Sequence, residues 1–88
     1  MKVHELKTWP QHFGEIVSGV KAWELRRDDR DFHVGDLLNL LEYNAVMSEY
    51  TGRSQLVEIV RIRSKLLGDG LAEGFVIMDI RCVKLEVV

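Results

Sequence analysis

In the first residues of the chain single apolar residues stand between polar ones, a pattern that is typical of a β-strand. Segment 2–7 places His4 and Leu6 on one face and Val3 and Glu5 on the other. This two-residue period predicts a first strand.

A helix of about ten residues is predicted directly after this strand, and it is the one main helix of the chain. Thr8 is placed to cap its first turn, and Pro10 suits that turn because a backbone N–H is not needed there. We expect Gly19 to end the helix in the left-handed conformation. The apolar face of this helix is predicted to comprise Trp9, Phe13, Ile16 and Val17.

A second strand is predicted at 22–27, because apolar and charged residues alternate there. Trp23 and Leu25 share one face, which we expect to point into the core. Glu24 and Arg26 then lie on the opposite face.

Three more strands are predicted from apolar segments bounded by turn residues. They run from Leu37 to Tyr43, from Gln55 to Arg63, and from Gly74 to Val87, the last as one long strand or two bent ones. We expect 50–52 to lie in the loop between the third and fourth strands. In the fourth strand Glu58 shares its parity with apolar residues, and a β-bulge would explain that mixture.

Loops and turns are predicted where charges or glycines interrupt these patterns. Residues 26–31 hold three Arg and three Asp, so this run carries no net charge and is predicted to be a loop. Residues 34–36 form a turn in which Gly35 is free to adopt positive φ and Asp36 is expected to cap backbone amides. Residues 68–70 break the chain again.

These elements fit in one domain over residues 1–88, because so short a chain cannot close a second core. The predicted fold class is α+β: a small mixed β pseudobarrel of five or six strands, with one main helix after the first strand.

Charge and composition restrict the classes of partner. The net charge is −2, which excludes a uniformly basic surface of the kind that covers duplex DNA, although 12 Lys and Arg are available for a local patch. The single Cys82 excludes an internal disulfide and fits a reducing compartment. The first residues lack a signal-peptide pattern and the apolar runs are short, so we expect a cytoplasmic location and no membrane partner.

Metal and cofactor sites are not indicated. His4, His12 and His33 lack the paired spacing of metal ligands, and Cys82 stands alone. We therefore expect no metal site and no cofactor.

The candidate functional segment is 19–26, where a helix ends at Gly19 and Lys21 stands at the mouth of the second strand. Lys21 and Glu24 would lie on opposite faces of an ideal strand. They converge on one site only if Lys21 still belongs to the turn. Glu24 and Arg26, as alternate residues on one face, are also placed to pair with each other.

The pattern Gly-x-Lys-x-x-Glu-x-Arg at 19–26, after an amphipathic helix and before a Gly-Asp turn, resembles the ASCH branch of the PUA-like superfamily. Segments 4–7, 29–32, 34–36 and 50–52, with Pro10 and Phe13, are similar to a group of short bacterial and phage proteins within it, mostly of unknown function. The resemblance covers nearly the whole chain. It implies a PUA-like pseudobarrel with a cleft beneath the first helix, and such clefts commonly bind RNA or modified nucleotides and bases.

The resemblance also implies which residues contact a ligand. Lys21, Glu24 and Arg26 match the signature positions and are expected to face the cleft. His4 and Lys7 match the first-strand pattern and are expected to line the same opening, and Asp29 and Arg30 match the loop that follows.

The function expected on these grounds is an RNA- or nucleotide-binding module. The alternative is a small hydrolase, either an amidohydrolase on a modified nucleoside or a ribonuclease, with Lys21 and Glu24 as its catalytic residues. Related amidohydrolases use a Lys, a Thr and a Glu; this chain has Glu24 where they have Thr, and only Glu73 stands near the position of their Glu. This mismatch favours binding over catalysis. An interaction protein with an unused cleft is the third possibility.

Two other features bear on nucleic acid. Tyr43 and Tyr50 are the better candidates for stacking bases, because they flank a predicted loop, whereas Trp9, Trp23 and Phe13 are expected in the core. The region 53–65 holds four basic residues against one Glu, which suits either a phosphate-tracking edge or, as we favour, a solvated strand edge protected by charge.

Overall fold

The computed structural model describes residues 1–64 and 74–84, and these residues form one five-stranded sheet with one helix. The elements in chain order are β1 (Val3–Thr8), α1 (Pro10–Val17), β2 (Trp23–Arg27), β3 (Leu37–Asn44), β4 (Glu49–Ser64) and β5 (Phe75–Cys82). The strand order across the sheet is β1-β3-β4-β5-β2, so β1 and β2 are the two edges. The pair β1–β3 is parallel and the other three pairs are antiparallel. The coarse prediction of a small barrel-like α+β fold is confirmed.

The core lies on the concave face of this half-barrel and is closed at one side by α1. Alternate residues of the strands point into it, as the two-residue period requires, and α1 adds Phe13 and Ile16. The buried apolar residues are Leu6, Phe13, Ile16, Phe32, Leu38, Leu40, Val57, Ile59, Val76, Met78 and Ile80. No helix in the described ranges is long and apolar enough to cross a membrane.

The predicted bulge in β4 is confirmed, and it lies at Val60. Ile59 pairs with Ile80 and Arg61 with Asp79, so Val60 has no partner in β5. The extra residue reverses the parity of the strand. As a result Ile59 is buried before the bulge and Ile62 packs against the same core after it.

The prediction of a loop at 50–52 is wrong, because these residues belong to β4. The chain reverses at 45–48 instead, where the Asn44 side chain accepts hydrogen bonds from the backbone N–H groups of Val46 (3.0 Å) and Met47 (3.1 Å). The pairs Leu41–Ser54 and Tyr43–Tyr50 then leave three residues of β4 opposite Glu42. Gly52, with φ of 92°, makes this second bulge possible.

The helix is shorter than predicted and begins differently. Thr8 is not its cap: it is the last residue of β1 and is buried, and Trp9 is the N-cap without a side-chain cap hydrogen bond. Trp9 and Val17 are also about half exposed, so only part of the predicted apolar face is buried. Gly19 does end the helix region with φ of 83°, as predicted.

The predicted orientation of β2 is wrong, because its polar residues face inward. Trp23 and Leu25 are 45% and 46% exposed, whereas Glu24 is 3% exposed. Alternation predicts which residues share a face but not which face is buried. The inner face of β2 lies beside β1, the other edge of the sheet, and Glu24 and Arg26 have polar partners there.

The predicted break at 68–70, Lys65 and Glu73 lie outside the described residues. Gly35 adopts the expected positive φ, at 93°. The closing segment is a single strand, β5, as far as the described residues extend.

Asp36 ties the start of β1 to the turn before β3, in the capping role that the sequence predicts. Its carboxylate accepts hydrogen bonds from the backbone N–H groups of Lys2 (3.0 Å) and His33 (3.1 Å). It also contacts Nε2 of the buried His4 at 2.9 Å. The hydrogen bond with His4, and then those with the two amides, hold the pKa of Asp36 well below its ordinary value of 3.8, against the opposing effect of burial.

Replacing Asp36 with alanine is expected to lower the free energy of unfolding at pH 7 by about 2–3 kcal/mol, because two amides and a buried imidazole lose their shared acceptor. The folded-state pKa is depressed, so the unfolded chain binds the extra proton below about pH 4. Wild-type stability should therefore fall as the pH drops below about 4, and Asp36→Ala should lack that part of the fall.

Urea denaturation from pH 7 to pH 2 measures both effects. Asp29→Ala removes an exposed carboxylate and is the control. Equal stability of Asp36→Ala and Asp29→Ala would contradict the role given to Asp36.

Candidate ligand-binding cleft at the sheet seam

The two edges of the sheet, β1 and β2, are joined by arginine side chains, and we call this junction the seam. Arg26 Nη2 donates to the carbonyl of Lys7 (2.8 Å) and to Thr8 Oγ1 (3.2 Å). Arg30 Nη1 donates to the carbonyl of Glu5 at 2.8 Å. Edge strands leave such carbonyls unpaired, and long side chains can reach across a wider gap than a backbone ladder. These side-chain contacts therefore close the half-barrel between β1 and β2, but they leave an opening at one end of the seam.

That opening is a cavity of about 410 Å³, which we call the cleft. The end of β1 and the first turn of α1 line one side of it with Lys7, Thr8, Trp9 and His12. The turn before β2 and β2 itself line the other side with Lys21, Trp23, Glu24, Leu25 and Arg26. The structure thus brings together Lys21, Glu24, Arg26 and Lys7, as the sequence predicts.

Glu24 and Arg26 form an ion pair in the cleft. Arg26 Nε donates to Glu24 Oε2 at 2.6 Å, and only 4% of the Glu24 side chain is exposed. Nε of Arg26 thus binds Glu24, and Nη2 of the same side chain binds β1. Arg26 therefore holds Glu24 in place at the seam.

Lys21 lies in the turn before β2 and not in the strand itself. This position allows its side chain to reach the same site as Glu24. Its backbone N–H donates to the carbonyl of Glu15 (3.0 Å), and its residue is 9% exposed. The ammonium group lies 3.2 Å from His12 Nδ1 and 4.3 Å from the centre of the Trp23 ring. Because an ammonium group only donates, Nδ1 of His12 is placed to accept from Lys21.

The walls of the cleft are apolar and were missed by the sequence interpretation. Trp9 and Trp23, assigned to the core, are 49% and 45% exposed and line the cleft from the two sides of the seam. His12 was also missed as a site residue. Its position three residues after Trp9, on the same side of the helix, is the signal that places it beside the opening.

The other predicted site residues lie elsewhere. His4 is buried against Asp36, with its ring 4.8 Å from that of Phe32, and does not line the cleft. Arg30 and Asp29 line a second cavity of about 200 Å³ on the seam, which shares Arg26 with the cleft. Among the described residues, no group of three His, Cys, Asp or Glu side chains is arranged to hold a metal ion.

The basic residues of β4 are paired with acids within the sheet. Arg61 and Arg63 contact Asp79 at 2.6 and 3.5 Å, and Arg53 contacts Glu42 at 3.4 Å. The sheet order places β4 between β3 and β5 and not at an edge of the sheet, so these arginines form exposed ion pairs on an inner strand.

Comparison with known proteins identifies the family. The family model described as "Domain of unknown function (DUF3850)" matches residues 3–80. The chain belongs to the DUF3850 family. It is also similar to an uncharacterized 12.9 kDa protein of Escherichia phage P2, encoded in the GpA 3′ region, with 38% identity over 52 residues. That alignment covers 59% of this chain and 46% of the phage protein, so the chain matches about half the length of this relative. The expected relation to a small family of unknown function with a phage member is confirmed.

Replacing Arg26 with methionine is expected to lower the free energy of unfolding by about 3 kcal/mol, because Glu24 remains buried without its partner. The double variant Glu24→Gln/Arg26→Met should be more stable than the single variant, since no uncompensated charge is left. Urea denaturation of both variants measures the difference. A double variant no more stable than Arg26→Met would show that the ion pair does not govern the seam.

Proposed function

We propose that this DUF3850 chain is a PUA-like pseudobarrel of the ASCH type that binds RNA or a nucleotide-type ligand in the cleft. The observation that carries the proposal is the make-up of the cleft. Two indole rings stand on opposite sides of the seam, and Lys21 and Glu24, both nearly buried, converge between them. Apolar walls with a few convergent polar groups are typical of small-molecule sites.

Each group has a counterpart in a nucleotide. The exposed indoles of Trp9 and Trp23 offer stacking surfaces for a base. Lys21 donates to a phosphate oxygen or a base carbonyl, and Glu24 accepts from an exocyclic amine or a ribose hydroxyl. Arg26 acts mainly by holding Glu24, because three of its hydrogen bonds are already made.

The net charge of −2 sets the character of this binding. An acidic protein gains little from non-specific attraction to phosphates, so affinity has to come from contacts inside the cleft. The salt dependence of binding should therefore be weak. We also place this function in the cytoplasm, where the Cys82 thiol stays reduced.

The contact between Lys21 and His12 favours a second candidate, a hydrolase. The 3.2 Å separation of Lys21 Nζ and His12 Nδ1 suits proton transfer beside Glu24 in the same cleft. In this alternative an acylated cytidine or RNA is hydrolysed, with Lys21 and Glu24 as the groups that move protons to and from water and the leaving group.

Ligand binding is expected to quench tryptophan fluorescence, because both tryptophans of the chain line the cleft. The assay titrates the protein with nucleosides, nucleotides and short RNAs. Lys21→Met should weaken binding about tenfold or more, since a hydrogen bond to a charged group is lost. Lys2→Met, which changes an exposed lysine away from the cleft, is the matched control. Absence of quenching and of any thermal shift with all of these compounds would refute the binding proposal.

Incubation of the protein with N-acylated cytidines and with RNA separates the two candidates. Under the binding proposal neither compound is turned over. Turnover that disappears in both Lys21→Met and Glu24→Gln, measured by chromatography of the products, would replace binding with hydrolysis as the function.

A further inference from the structure

Three aromatic residues lie beside the cleft, and we call them the aromatic shelf: Trp9, Tyr43 and Tyr50. The ring centres of Trp9 and Tyr43 are 5.8 Å apart, and those of Tyr43 and Tyr50 are 5.0 Å apart. Trp9 is 49% exposed and Tyr50 is 51% exposed. Because Trp9 also lines the cleft, the shelf and the cleft form one continuous surface.

The shelf is held in place by the sheet. Tyr43 of β3 and Tyr50 of β4 are direct cross-strand partners, next to the turn that Asn44 caps. Trp9 is fixed at the start of α1, where the backbone changes from strand to helix. Rings fixed in this way lose little conformational entropy when a ligand stacks on them.

Lys7 stands at the junction between cleft and shelf. Its ammonium group lies 4.5 Å from the centre of the Tyr43 ring and 5.9 Å from that of Tyr50, and the residue lines the cleft. A cation beside stacking surfaces is the usual combination in proteins that bind single-stranded nucleic acid. Aromatic rings stack any base, so the shelf would add affinity with little sequence preference.

We propose that the ligand is a single-stranded oligoribonucleotide of at least two nucleotides. One base occupies the cleft, the next stacks on Tyr50, and the phosphate between them meets Lys7. This inference rests on the proposed function and adds that the ligand is a chain rather than a mononucleotide.

The test compares the four ribonucleoside 5′-monophosphates with the matching homodinucleotides, by tryptophan fluorescence and calorimetry. The affinity for the dinucleotide is expected to be about tenfold higher than that for its mononucleotide, which is the usual effect of one stacked base. Tyr50→Val keeps a strand-forming residue but removes the ring, and should abolish this gain while leaving mononucleotide affinity unchanged. Tyr50→Phe, which keeps the ring, should retain the gain.

Lys7→Gln provides a second measurement. The logarithm of the dinucleotide binding constant falls linearly with the logarithm of the salt concentration. In the variant this slope should be smaller by about 0.7, the contribution of one phosphate contact in a single strand. An unchanged slope would remove Lys7 from the proposed path and overturn that part of the inference.

The outcomes separate this inference from the proposed function. Equal affinity for mononucleotide and dinucleotide overturns the inference and leaves nucleotide binding in place. Equal weakening of both ligands by Tyr50→Val shows that the shelf only stabilises the hairpin, and also overturns it. Binding of neither ligand refutes the proposed function and the inference together.

Discussion

The ion pair between the buried Glu24 and the partly exposed Arg26 is the interaction on which the shape of the molecule depends. It holds the guanidinium group that reaches from β2 to the end of β1, across 19 positions in the chain. A backbone ladder between the two strands would close the barrel and fill the space. Side-chain hydrogen bonds span a wider gap, and that gap is where the cleft forms.

The same ion pair explains the unusual arrangement of β2. The inner face of this strand holds the charged groups that form the seam. Its apolar residues, Trp23 and Leu25, therefore lie on the outer face and line the cleft. A buried charge pair contributes little net stability compared with apolar packing, but breaking it is costly. The consequence of the pair is therefore the shape of the seam rather than a large gain in net stability.

A second set of polar contacts stabilises the opposite end of β1. Asp36 forms hydrogen bonds with Lys2, His4 and His33. The turn capped by Asn44 and the bulge at Gly52 determine the shape of the β3–β4 hairpin. These local devices fix the position of β1 and of the aromatic shelf relative to the cleft. The binding surface we propose is thus assembled from an edge strand, a helix start and a hairpin, all held by side-chain to backbone hydrogen bonds.

The sequence by itself determined the features that depend on local physical chemistry. The two-residue periods of the strands, the positive φ of Gly19 and Gly35, the capping role of Asp36 and the bulge in β4 all follow from neighbouring residues. The grouping of Lys21, Glu24 and Arg26 was implied by the resemblance to the ASCH branch, whereas the residues alone left the convergence of Lys21 with Glu24 open.

Only the tertiary structure decided which face of β2 is buried, that His4 pairs with Asp36 away from the cleft, and that two tryptophans and His12 line it. The length of β4 likewise depended on its pairing with β3. The physical reason is the same in each case. The deciding contact is made with another element of the fold, and the local pattern of residues does not contain that partner.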